Sequence, residues 1–365
     1  QGGFMKRVLV FAAIVAVGVP AFTSFSQTEE EDGLEETLGK MAEVAARAYI
    51  SPIVSGFGAD LNSGWFHRAP WATMIGFDLE FGIVVMGAFM DDTHRMFSSD
   101  GSFRFDFNQA DQLAAQAANQ GGFPQTQTAI RNAILSQDFG VTVSGPTIVG
   151  SKADSLQVGF PGKIINVNGT NYQLPSRAFT LPVTGLLEEA SLIPLGAPQL
   201  TLGTFLGSQF TFRYLPEVEL DAKIGKFKYF GFGIQHNPLV WFEEDALPFE
   251  LSASYFTQSL KIGSLMNAKA TAFGLNTSIR LGWGFLNLTP YAGFLIESSS
   301  ITWAYDYQVD TPTGSSTQRI QFIAEGENSS RFILGASVKV LLVNVNVDVN
   351  FAKYRTFSGG VMIVI

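Results

Sequence analysis

Val343-Asn344-Val345-Asn346-Val347-Asp348-Val349-Asn350-Phe351 alternates apolar and polar residues without a break. Successive side chains of an extended strand point to opposite faces, so this run has one apolar face and one polar face. The same period recurs along the chain. Ile75, Phe77, Leu79, Phe81, Ile83 and Val85 oppose Asp78, Glu80 and Gly82. Phe103, Phe105 and Phe107 oppose Arg104, Asp106 and Asn108, and Val218, Leu220, Ala222 and Ile224 oppose Glu217, Glu219, Asp221 and Lys223. Phe273, Leu275, Ile279 and Leu281 oppose Asn276, Ser278 and Arg280. A tilted strand crosses a bilayer in ~9–11 residues, so a turn at Leu341-Leu342 is expected to divide the run Arg331–Phe351.

A soluble β-sandwich also alternates, and composition separates the two architectures. Of 365 residues, 46% are hydrophobic and 13% aromatic, and only 15% are charged, whereas soluble domains carry ~25% charged residues. Mean hydropathy is +0.19, yet past the N-terminus no apolar run approaches the ~18 residues of a spanning helix. Only helices and closed barrels satisfy every backbone amide in lipid. The expectation is therefore a transmembrane antiparallel β-barrel of about 12–14 strands, apolar face to lipid and polar face to a lumen. A barrel of that size keeps an open interior.

The N-terminus reads as a leader. Lys6-Arg7 precede the apolar run Val8–Val19, Pro20 breaks it, and Ser24 and Ser26 sit at −3 and −1 to a cut before Gln27. Residues 1–26 are thus assigned to upstream residues and a cleaved Sec-type signal peptide. The destination is the bacterial outer membrane, with its bilayer and the barrel-assembly machinery as partners. Losing Lys6 and Arg7 moves the net charge from −9 to −11, and with no basic patch nucleic acid is excluded as a partner. The absence of Cys removes disulfides, thiolate metal sites and cysteine nucleophiles.

Residues 27–70 are expected to form a helical plug segment. Leu34, Leu38, Met41, Ala45, Ala48 and Tyr49 recur at helical spacing, and Pro52 is expected to end the helix. Gly56, Gly58, Asn62, Gly64 and Trp65 follow as hinge and plug candidates, with packing on the periplasmic rim as the alternative placement. Residues 71–365 form the barrel, interrupted by long insertions at 108–138, an Ala/Gln-rich helical hairpin, and at 172–200. Pro175, Pro182, Pro194 and Pro198 mark the second insertion as a loop, since proline cannot donate to a ladder.

Asp78, Glu80, Arg104, Asp106, Arg213, Glu217, Glu219, Asp221, Lys223 and Arg280 are the lumen-facing candidates. They could bias a pore toward cations or pair with one another across it. His67, His94 and His236 belong to no HExxH or GxSxG signature, so no catalytic residue, metal site or cofactor is expected and the chain reads as not an enzyme. Trp71, Trp241, Trp283 and Trp303 fall near strand ends, as interfacial girdles do.

Several of these segments also resemble a known family. Ala46-Arg47-Ala48-Tyr49-Ile50-Ser51-Pro52, Leu61-Asn62-Ser63-Gly64-Trp65, Phe212-Arg213-Tyr214-Leu215-Pro216 and Tyr229-Phe230-Gly231-Phe232-Gly233-Ile234-Gln235-His236 are similar to an uncharacterised bacterial family, a domain of unknown function regarded as outer-membrane barrels. The resemblance spans most of the chain and implies the fold, but carries no activity. In architecture alone, a helical segment ahead of a barrel is similar to the long-chain fatty-acid channels. The resulting functional expectation is a gated channel for small or hydrophobic solutes, its glycines acting as hinges. A non-transporting surface anchor or receptor is the alternative, and a lipid-modifying enzyme ranks last.

Overall fold

The computed structural model describes residues 43–365 except 106, 123, 189, 222–224, 243–246, 265, 284 and 312–313. The expected leader and the first part of the expected plug helix lie outside the described residues. Within them the chain divides into two compact units, 51–91 with 190–365, and 43–50 with 92–189.

The first unit is a closed antiparallel barrel of ten strands. In chain order these are β1 (Ile75–Phe89), β8 (Leu192–Phe205), β9 (Ser208–Asp221), β10 (Gly225–His236), β11 (Glu250–Ile262), β12 (Met266–Ser278), β14 (Leu286–Thr311), β16 (Ser330–Val340), β17 (Val343–Phe351) and β18 (Thr356–Val364). Consecutive wall strands pair with one another, and β1 pairs with β18 to close the ring. Two further strands, β13 (Leu281–Trp283) and β15 (Gly314–Glu325), pair only with β14.

The burial pattern is inside-out relative to a soluble sheet. Val347 is 61% exposed while its neighbour Asn346 is 3% exposed, and the whole of β17 repeats that contrast. Exposed Phe81, Phe273, Phe294, Phe332 and Ile363 continue the outer belt on other strands. Such a surface is stable only where lipid replaces water. The turn at Leu341-Leu342 separates β16 from β17, with Leu341 at φ 55°.

The wall has fewer strands than the 12–14 expected, for two reasons. β14 is a single strand of 26 residues; it pairs with β12 of the wall as far as Trp303, and its Ser300–Thr311 stretch, which runs on past the wall, pairs with β15. The Phe103–Phe107 alternation is not a wall strand either, because it falls where one sheet strand ends and a helix begins.

The second corrected expectation concerns 172–200, which is not a loop. Pro194 and Pro198 lie in β8, opposite Gly87 and Ile83 of β1. The ladder from β8 to β9 covers only Gln199–Phe205, so the proline-bearing half behaves as an edge, where a missing N–H is tolerated.

The second unit has its own core. β2 (Met96–Phe103), β3 (Phe139–Pro146), β4 (Leu156–Phe160) and β7 (Arg177–Leu181) form a sheet. β5 (Lys163–Val167) and β6 (Thr170–Leu174) form a hairpin across Asn168-Gly169, both at positive φ, as such two-residue turns require. Helices α2 (Phe107–Gln120) and α3 (Gln127–Leu135) bury Leu113, Ile130 and Ile134. Phe105, read above as a barrel residue, instead packs within ~5.3 Å of the Phe139, Phe160 and Phe179 rings.

Helix α1 (Glu43–Leu61) runs through Pro52 rather than ending there. No described helix is long and apolar enough to cross a membrane.

Candidate functional site

Residues 51–70 contact groups on wall strands β1, β8, β9, β10, β11, β12, β14, β16 and β18. At one end, Ser51 donates to the Glu327 carboxylate, which also pairs with Lys353. At this turn, outside the wall, burial and then the Glu327 charge raise the pKa of the Tyr354 phenol, keeping it neutral. Gly56 and Gly58 lie inside α1 rather than in a loop after it. A Cβ on Gly56 would stand 2.5 Å from Ile193 Cδ1, and one on Gly58 would stand 2.0 Å from Ser299 Oγ. Their role is close approach of helix to wall.

The helix end is held by a buried cation. Arg331 donates from Nη2 to the Ala59 carbonyl at 2.8 Å and from Nε to Glu297 at 2.8 Å. Asn62 Nδ2 donates to the Thr271 and Ser298 carbonyls at 3.4 Å, and its oxygen accepts from Gln258 at 3.1 Å. Ser63 Oγ lies 2.7 Å from Thr356 Oγ1. Gly64, at φ 65°, makes the turn out of the helix and presents its carbonyl to Arg213.

Trp65 and Phe66 then enter an apolar layer with Phe256, Ala272, Tyr291, Leu295 and Ile333. The lumen is therefore not uniformly polar, as the alternation had suggested. Trp65 stacks on Phe256 at 5.0 Å, and the Arg213 guanidinium lies 4.1 Å from its ring centroid. Below this layer Arg68 binds both Asp78 and Glu80, and His67 Nε2 stands 3.3 Å from the other Glu80 oxygen. Ala69 N–H donates to Ser278 at 3.0 Å, and Asn237 donates to the Pro70 carbonyl at 2.8 Å. An unpaired buried polar group costs ~1–3 kcal/mol, so these bonds fix the segment's register against the wall.

The remaining lumen candidates divide. Asp78, Glu80 and Arg213 are buried in the interior, and Arg280 lines its mouth, donating to Asn287 at 2.9 Å. Arg104 is a correction: it pairs with Asp138 at 2.9 Å in the second unit, because the chain leaves the barrel after β1. Glu217 is another, being half exposed near the end of β9 and bonded to Lys226 at 2.6 Å rather than to a lumenal arginine. Asp106 and Lys223 lie outside the described residues, as do the side chains of Glu219 and Asp221.

Sequence reasoning missed Arg68, Glu297 and Arg331. The signal for Arg331 was present: it shares the inward register of β16 with Ile333 and Ser337, a lone charge between lipid-facing residues. Trp241 and Trp283 are exposed as girdle residues are, whereas Trp303 is buried and Trp71 lies between the Arg68 and Arg280 guanidiniums, 5.2 Å from each.

The model of a family of unknown function, DUF6588, matches residues 5–365. The chain belongs to DUF6588. No curated protein matches this DUF6588 chain. Among solved structures it is similar to the outer-membrane protease OmpT of Escherichia coli, at 9% identity over 81% of this chain and 100% of that one, with a TM-score of 0.25. It is also similar to the translocator domain of the autotransporter NalP of Neisseria meningitidis, at 8% identity over 88% and 97%, with a TM-score of 0.22. A third likeness is to the outer-membrane protein OpdK of Pseudomonas aeruginosa, at 8% identity over 79% and 98%, with a TM-score of 0.15. All are outer-membrane barrels, and the DUF6588 chain has that fold, with a lipid bilayer as its surroundings. The exclusion of catalysis drawn from the sequence is corrected here. A protease stands among the neighbours, so this fold does not rule out an enzyme, and at that identity and score the likeness gives the chain no activity.

Proposed function

We propose that the barrel is a gated conduit for small or hydrophobic solutes, closed in its resting state by residues 51–70. The observation supporting this is the manner of closure. The segment fills the lumen yet is held by side-chain bonds to wall strands, which can be exchanged for water, and by one apolar layer. Removing Trp65 and Phe66 from that layer costs ~1.5–3 kcal/mol each, so the closed form dominates until something favours release. Asp60 favours release. It is fully buried, its carboxylate oxygens lack a partner of normal hydrogen-bond geometry, and the Ala88 backbone, the Arg331 charge and the Tyr229 phenol stand near. Water entering the lumen would stabilise that carboxylate.

Long extensions mark the outer side of such barrels, and the β14–β15 hairpin projects from the end opposite Ile75 and Ile365. The Ile75 end then faces the periplasm. Export by a Sec-type leader cut before Gln27, and insertion by the barrel-assembly machinery, complete this reading; Lys6-Arg7 and the apolar run Val8–Val19 support the leader.

Because the chain has no cysteine, a single engineered pair tests the gate. Ser63→Cys with Thr356→Cys joins positions whose oxygens are 2.7 Å apart. Solute uptake into proteoliposomes should stop on oxidation and return on reduction. Uptake unchanged with the bond verified would sink the gating model.

A second reading, a surface receptor, is favoured by one observation: residues 92–189 have their own sheet and core. Deleting them should abolish partner capture while leaving uptake intact.

A further inference from the structure

Where β1 begins and β18 ends, the barrel holds a cavity of about 320 Å³. Asn287, Thr289, Ser337 and Asn344 give it a polar lining, each less than a tenth exposed. Charged side chains complete it, three cations (Arg68, Arg280, Lys339) against two carboxylates (Asp78, Glu80). Arg68 is bound to both carboxylates. Arg280 donates to Asn287 and lies over Trp71, and among the described residues neither Arg280 nor Lys339 has a carboxylate within 4 Å. Asn344 donates to Ser337 at 2.7 Å, but its amide oxygen has no donor although the residue is 4% exposed.

Two cations with no carboxylate in salt-bridge contact, Glu80 acting on Lys339 only from a distance, and a buried acceptor without a donor, on one cavity, define complementary chemistry. The geometry points to a binding site for a small oxyanion that also carries a hydroxyl, such as a short 2-hydroxycarboxylate. Arg280 and Lys339 take the anionic oxygens, since charge-assisted bonds are the strong ones. Asn344 Oδ1 accepts the hydroxyl, and Trp71 supplies an apolar wall. The volume is at the small end of ligand pockets, which limits the ligand to a compact molecule. Binding at this mouth does not require the barrel to conduct, so the site stands apart from the gating proposal.

The test is isothermal titration calorimetry of the full refolded chain in micelles with lactate, propionate and inorganic phosphate. Arg280 is exposed and Lys339 half-exposed, so Arg280→Gln and Lys339→Gln should retain the folded barrel, checked by its heat-modifiable gel mobility. Lactate should bind saturably, with affinity at least tenfold lower in each variant, and propionate, which lacks the hydroxyl, should bind several-fold more weakly. Phosphate binding in place of lactate, lost in both variants, would keep the oxyanion class and identify its source as phosphate. No saturable heat from any of the three, or affinity unchanged in both variants, would overturn the site. Equal affinity for lactate and propionate would overturn the role given to Asn344.

Discussion

Trp65 meets three different partners at once: the face of Phe256, the Arg213 guanidinium, and the Leu61 carbonyl, which its ring nitrogen reaches at 3.1 Å. Trp65→Ala should therefore cost ~3–5 kcal/mol of the seated state, the range for emptying a large aromatic site. Limited proteolysis should then cut between residues 51 and 70 at rates the parent chain does not show. Asp60→Asn should act in the opposite direction, because it removes from the closed form a buried carboxyl group whose ionisation favours release; cleavage should slow and basal uptake should fall. Faster cleavage in Asp60→Asn would contradict the role assigned to that carboxylate. Asn62, Gly64 and Trp65 stood out in the sequence only as part of a Gly-rich stretch after a helix. Their wall partners were not legible, because Arg213 and Arg331 lie about 150 and 270 positions downstream of the groups they bind.

At the scale of the element, β17 shows why the fold could be read. Its two faces meet different solvents, so every second residue is chosen by lipid and every other one by the lumen. Val347→Arg, on the lipid face, should lower stability by ~2–4 kcal/mol if it lies near the bilayer midplane, read as a shift in the guanidinium midpoint in liposomes. An unchanged midpoint would mean that the apolar face of β17 does not meet lipid. β8 shows the limit of the same reasoning. Its prolines argue against a strand whose two neighbours both bond to it, and the sequence does not reveal that β9 pairs with only part of it. The glycines of α1 show a related limit, since close approach and flexibility call for the same residue.

At the scale of the whole molecule, the barrel and its lipid-facing belt were legible from composition and period together, whereas the strand count was not. Alternation is local and cannot distinguish a wall strand from the β14–β15 extension, which carries the same pattern outside the ring. The partly apolar lumen was also hidden. Phe256, Leu295 and Ile333 look out of register until the segment bearing Trp65 and Phe66 is placed against them. The central claim is that this segment closes a lumen otherwise wide enough to pass solute. Single-channel recording in planar bilayers, comparing the refolded chain with a form lacking residues 27–70, tests it most directly. The account predicts brief, rare openings from the parent chain and a stable, larger conductance from the deletion. A folded, inserted deletion form that passes no current would contradict it.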